Sequence, residues 1–171
     1  MRDDVTAYRV EPAGAGDAEA IVGFQLRMAM ESEGKALDEA TVRRGVAAVF
    51  ADAGKGRYWV AREAAWIPGA RKPKAGIELP GAVASLLIVP EWSDWRNGTV
   101  WWIHSVYVMP EHRRRGVYRA MYAHVRGIVE RSADLCGLRL YVDKTNDTAR
   151  GTYKALGMDG EHYQLFEWMK S

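Results

Sequence analysis

Apolar residues recur at helical spacing in four stretches of the chain, separated by short runs with strand character. Ile21, Phe24 and Met28 mark the first helical face, with Asp17 placed to cap its start, and the pattern fades at Glu31-Ser32-Glu33-Gly34. Val42, Val46, Val49 and Phe50 make a second stripe, opened by Asp38 and followed by Gly54. Val117, Met121, Val125 and Ile128 or Val129 make a third, running to about Arg131. A fourth, shorter helix carries Ala149, Tyr153 and Leu156 between a capping Asn146 and a terminating Gly157.

The strand-like runs are 7–10, 57–61, 82–89, 99–108, 137–143 and about 163–168. The run 82–89 is almost wholly apolar, as a strand covered on both faces would be. Residues 90–98 read as a loop ending in the turn pair Asn97-Gly98. Residues 66–81 hold three prolines, three glycines and three basic residues without a period, which predicts a long connection between strands. There is no internal repeat. The expectation is one mixed α/β domain over residues 1–171, built on one core.

Composition narrows the function classes. The 171 residues are 48% hydrophobic and 27% charged, ordinary for a globular domain, and the net charge of +2 gives bulk electrostatics no case for nucleic acid. The single cysteine, Cys136, excludes an internal disulfide; its neighbours Leu135 and Leu138 predict a buried structural thiol in a reducing compartment. The N-terminus lacks a signal-peptide pattern, and no run approaches the about 18 apolar residues that cross a bilayer, so the expectation is a cytoplasmic protein with no membrane partner. Four scattered histidines give no metal-ligand spacing, and His112 and His124 read as surface groups. Seven tryptophans and eight tyrosines are enough that some should line a site or an interface.

The chemistry concentrates at Val106-Tyr107-Val108-Met109-Pro110-Glu111-His112-Arg113-Arg114-Arg115-Gly116-Val117-Tyr118. A strand, a proline stop, three arginines and a glycine lead into a helix, which brings backbone N–H groups, a helix N-terminus and cations to one point. Three readings compete: a solvated basic turn, a nucleic-acid patch, and a pyrophosphate cradle in which Gly116 lets the backbone approach the ligand. The position between strand and helix favours the cradle. Against nucleic acid stand the near-neutral charge and the lack of basic–aromatic interleaving.

This stretch resembles the signature of the GNAT superfamily of acyl-CoA-dependent N-acyltransferases: arginine or glutamine, two residues, glycine, one residue, then glycine or alanine. Arg113, Gly116 and Tyr118 stand in those places, Tyr118 departing from the small residue. Downstream, Asn146, Ala149, Tyr153 and Gly157 match the family's second pattern, and the order of elements is similar over nearly the whole chain. The resemblance implies a central mixed, largely antiparallel sheet of six to seven strands flanked by about four helices. It also implies an acetyl-CoA site: the backbone of Val106, Tyr107 and Val108 beside the pantetheine arm, the loop and first helical turn at Arg113, Arg114, Arg115, Gly116, Val117, Tyr118 and Arg119 around the pyrophosphate, and Asn146 at the pantetheine amides. The arginine side chains would add the adenosine 3′-phosphate.

Acyl transfer to an amine needs a neutral nucleophile, yet an alkylamine of pKa about 10.4 is neutral roughly once in a thousand at pH 7. His104 is the candidate base, because an imidazole of pKa about 6.5 suits that work and strand alternation puts it on one face with Trp102 and Val106. Tyr153 is the candidate acid for the departing thiolate. For the acceptor, Glu31 and Glu33 at the join of the first two helices, and Glu91, Trp92, Asp94 and Trp95 in the aromatic loop, could receive a cationic amine; Trp102 joins this set through its shared face with His104. The expected activity is transfer of acetyl from acetyl-CoA to a primary amine of a small molecule or peptide in a ternary complex. The alternative is a non-catalytic CoA-binding sensor or interaction module. The sequence fixes neither the acceptor, the acyl length nor the oligomeric state, a homodimer included.

Overall fold

The computed structural model describes residues 8–64 and 81–170. They fall in two compact units, one through Leu140 and one from Tyr141 onward. The predicted connection at residues 66–81 lies, apart from Gly81, outside the described residues.

The first unit is a five-stranded sheet in the order β1 (Tyr8–Pro12), β2 (Arg57–Glu63), β3 (Ala84–Ser93), β4 (Gly98–Val108), β5 (Leu135–Leu140). Neighbours are antiparallel except β4 and β5, which are parallel. The mixed, largely antiparallel α/β architecture matches expectation, with a smaller sheet than the six to seven strands anticipated. Residues 163–168, predicted as a last strand, form none: Tyr163, Phe166 and Trp168 are exposed in an unpaired segment of the second unit. Aromatic and apolar content alone does not make a strand, because the ladder needs a partner.

Helices α1 (Ala18–Glu33) and α2 (Glu39–Ala51) pack on one face of the sheet, around Ile21, Phe24, Val46, Tyr58, Val60 and Tyr107. Helix α3 (Val117–Arg131) buries the predicted stripe Val117, Met121 and Val125, together with Ala120 and Tyr122. The helix starts follow the sequence at α2, where the Asp38 carboxylate accepts from the Thr41 N–H at 2.8 Å. They depart from it at α1. Asp17 precedes that helix but turns its carboxylate to the Gly14 N–H and to Arg62, closing a 3-10 turn instead.

Strand β3 runs on to Ser93, so the expected loop contracts to a turn at Asp94–Asn97. Gly98 opens β4 under a steric constraint: a Cβ there would clash with Cys136 Sγ and lie 3.2 Å from the Asp134 carbonyl oxygen. Cys136 itself is exposed, correcting the expectation of a buried thiol. His112 and His124 are likewise not surface groups. The His112 side chain is 13% exposed, with Nδ1 3.2 Å from the Tyr8 hydroxyl, and the His124 ring lies 4.9 Å from that of Trp59.

In the second unit, α4 (Asp147–Ala155) starts as predicted, with Asn146 Oδ1 accepting from the Ala149 N–H at 3.0 Å, and Gly157 follows its end at φ 83°.

Candidate active site

Strand β4 changes character along its length. From Thr99 to Ile103 it is paired on both sides, with β3 and with β5, the last pair to β5 being Ile103 with Leu140. Beyond that point β5 has ended while β4 continues to Val108, paired through His104, Tyr107 and Val108 with β3 only. Among the described residues no strand lies on its other side. The second half of β4 therefore presents an edge of backbone donors and acceptors able to pair with an extended ligand.

A bulge sits at this transition. Leu87 pairs with His104 and Ser85 with Tyr107, so two residues of β4, Ser105 and Val106, oppose Leu86 alone. Ser105 carries the extra residue at φ 50°, a region costly for a side chain with a Cβ. The bulge corrects the predicted face. His104 and Trp102 share it, as expected, but the next residue on it is Tyr107 rather than Val106. A serine inside a strand-like run gives no sign of this.

After β4, a 3-10 turn (Pro110–His112) leads into the arginine run. Arg114 at φ 60° and Gly116 at φ 81° bend the chain into α3. Gly116 is the N-cap, and the first helical bond runs from the Ala120 N–H to its carbonyl at 2.9 Å. No side chain caps this end, and among the described residues a Cβ at residue 116 would meet nothing within 4 Å, which leaves the first-turn N–H groups without a side-chain partner there. The open strand edge and the open helix start follow each other directly along the chain, which fits the demands of an extended arm joined to a diphosphate.

The three arginines diverge. Arg113 donates from Nε to the Val108 carbonyl at 2.9 Å and from Nη2 to Glu31, and its guanidinium lies over the Tyr107 ring. Arg115 Nη2 lies 3.7 Å from Glu63. Arg114 makes no ion pair among the described residues.

The His104 ring is half-buried, 6.2 Å from that of Trp102. Burial pushes its pKa below the ordinary 6.5, which favours the neutral imidazole. Trp102 donates from Nε1 to Glu91 at 2.6 Å, and Glu91 also accepts from Arg139, whose guanidinium lies over Trp102. Arg139 was not anticipated. Its one sequence signal is a charge set between Leu138 and Leu140, and register with Trp102 explains it.

Of the proposed acceptor carboxylates, Glu31 has both oxygens engaged, by the Tyr107 hydroxyl and by Arg113. Glu33 is exposed and pairs with Lys35. Trp92 and Trp95 are 63% and 88% exposed, and the Asp94 carboxylate accepts from the Trp95 N–H. Tyr153, in the second unit, is half-buried on α4. Among the described residues no three His, Cys, Asp or Glu side chains are grouped to hold a metal, and no helix is long and apolar enough to cross a membrane.

Comparison with known proteins bears on the family and the fold. Residues 77–158 match the acetyltransferase (GNAT) family. A possible acetyltransferase from Clostridium difficile 630 is 33% identical, with 96% of this chain and 99% of that one covered at a TM-score of 0.82. A predicted acetyltransferase from Clostridium acetobutylicum, determined with acetyl-CoA, has the same fold at 16% identity and a TM-score of 0.64, covering 94% of this chain and 96% of its own. An aminoglycoside acetyltransferase from an uncultured soil metagenomic sample shares the fold at 13% identity and a TM-score of 0.64, with 96% and 100% covered. No curated protein sequence matches the chain. Identity held over nearly the full length of both chains, on top of the matched motif region, makes this protein a member of the GNAT acetyltransferase family.

Proposed function

We propose that the protein transfers an acetyl group from acetyl-CoA to a primary amine of a small molecule or peptide, by direct attack within a ternary complex. The observation that carries the proposal is the continuity of an unpaired β4 edge, a left-handed Gly116 and an uncapped α3 start, in a chain of this family.

In this reading the backbone of Val106, Tyr107 and Val108 pairs with the pantetheine arm as an added strand would. The N–H groups of the loop and first turn, Arg114 to Arg119, bind the diphosphate, and the helix dipole favours its charge. Arg113 reaches the site through its backbone, since its side chain is held by Glu31. Arg114 is the side chain best placed in sequence and charge for the adenosine 3′-phosphate. Asn146 already accepts a helical N–H through Oδ1, which leaves its amide N–H groups for the pantetheine region.

Bound acetyl-CoA supplies a thioester, activated for attack by a neutral amine. His104, whose burial favours the neutral imidazole, takes a proton from the acceptor's ammonium before attack, directly or through water, and passes it to solvent. A β4 backbone N–H stabilises the charge that develops on the acyl oxygen, an effect of about 3 kcal/mol where donors are preorganised. Tyr153 gives a proton to the departing sulfur and recovers one from the nitrogen as the amide forms; its support is its place in the Asn146–Gly157 pattern.

A thiol-release assay with acetyl-CoA against polyamines, amino acids, aminoglycosides and peptides tests the proposal. Release that depends on both substrates is expected for at least one amine class. Acetyl-CoA binding without release from any of them would instead support a non-catalytic CoA sensor.

A further inference from the structure

Glu31 lies in the last turn of α1, three residues before the left-handed Gly34, where sequence alone makes it a candidate to receive the acceptor amine. Its surroundings give it different work. One carboxylate oxygen accepts from the Tyr107 hydroxyl at 2.8 Å, and the other accepts from Arg113 Nη2. The same guanidinium donates from Nε to the carbonyl of Val108, the last residue of β4. A single planar fork thus ties the end of a helix to the end of a strand.

The floor beneath this bridge is buried and packed. Tyr107 is 3% exposed, its ring stacked on Phe24 at 5.3 Å between centroids. The guanidinium groups of Arg113 and Arg27 lie 5.5 and 5.7 Å from that ring's centroid. Burial and the bond to Glu31 raise the Tyr107 pKa, keeping its phenol a donor, while Arg113 and then Tyr107 hold the Glu31 carboxyl below its usual range. The Arg113–Glu31 pair itself is 44% and 39% exposed, so it contributes little to global stability. Its effect is local. It fixes the residue immediately before Arg114, the first of the two left-handed positions of the loop, Gly116 being the second.

We infer that Glu31 is a positioning residue for the diphosphate loop, holding Arg113 so that the loop's N–H groups converge before ligand arrives. The inference rests on the coenzyme site proposed above. Preorganisation of this kind raises affinity by removing the ordering cost from the binding step. It also sets a sign that separates geometry from charge. A carboxylate near a polyanion's site opposes binding, so if charge alone mattered, neutralising Glu31 would tighten it.

The test is calorimetric titration of acetyl-CoA into the wild type, Glu31→Gln, Tyr107→Phe and the double variant, with melting curves and acceptor Michaelis constants alongside. Each single variant is expected to weaken acetyl-CoA binding, Glu31→Gln by about tenfold. The double variant should be little worse than Glu31→Gln, because both changes break one network. Acceptor Michaelis constants and melting temperatures should hardly move. Equal or tighter acetyl-CoA binding by Glu31→Gln would overturn the inference, as would a rise confined to the acceptor constant. No binding by the folded wild type would instead remove the coenzyme site itself.

Discussion

Helices α2 and α3 begin in opposite ways. The start of α2 is closed by its own chain: Asp38 accepts from the Thr41 N–H and hydroxyl, and its carboxyl pKa is lowered by those bonds. The start of α3 has a left-handed glycine in place of a capping side chain, approached through a residue at φ 60°. A capped start stabilises its helix by about 1 kcal/mol. An uncapped start forgoes that and keeps its donors for something else. On the coenzyme site proposed above, the difference separates an end that serves the fold from an end that serves a ligand.

The comparison breaks most readily at Gly116. A valine there meets the left-handed φ and puts methyl groups where the backbone must approach a diphosphate. Losing about two charge-assisted hydrogen bonds, ~4 kcal/mol together, should weaken acetyl-CoA binding about a thousandfold in a titration, with the fold retained. A binding constant within a fewfold of wild type would mean that α3's start serves only the fold.

His104→Gln asks whether the chemistry sits on the β4 half that α3 follows. At pH 7 turnover should fall about a hundredfold, the lower range for general bases, while acetyl-CoA affinity holds. The sign of the pH effect follows from the lowered pKa. The wild-type rate should fall on acidification through a pKa below 6.5, as the imidazole gains its proton, and the variant's rate should lose that limb. An unaltered pH–rate profile would make His104 a packing residue.

Tyr153→Phe, on the body of a capped helix, should lower turnover about tenfold with acetyl-CoA binding unchanged; equal loss of both would reduce it to packing. The smallest effect is expected at α2. Asp38→Ala should lower the melting temperature by roughly 2–4 °C, with acetyl-CoA binding intact. Impaired binding there would erase the contrast.

What could be read from the sequence was local. The stripe Val117, Met121, Val125, the caps at Asp38 and Asn146, and the glycine before α3 are encoded within a few residues, and all appear in the structure. The GNAT family was likewise legible in two motifs. What escaped depends on partners distant in the chain. The bulge at Ser105 exists because β3 holds the register on either side of it, and it moved Tyr107, not Val106, onto the face of His104. The engagement of Glu31 is a contact across 82 residues. Residues 163–168 have the aromatic and apolar content of a strand without the pairing that makes one.

The central claim is that the backbone between β4 and α3 grips acetyl-CoA. Calorimetric titration of the folded wild type with acetyl-CoA tests it most directly. Saturable one-to-one heat with a Kd between about 1 μM and 1 mM is predicted, and the absence of any binding heat across that range would contradict it.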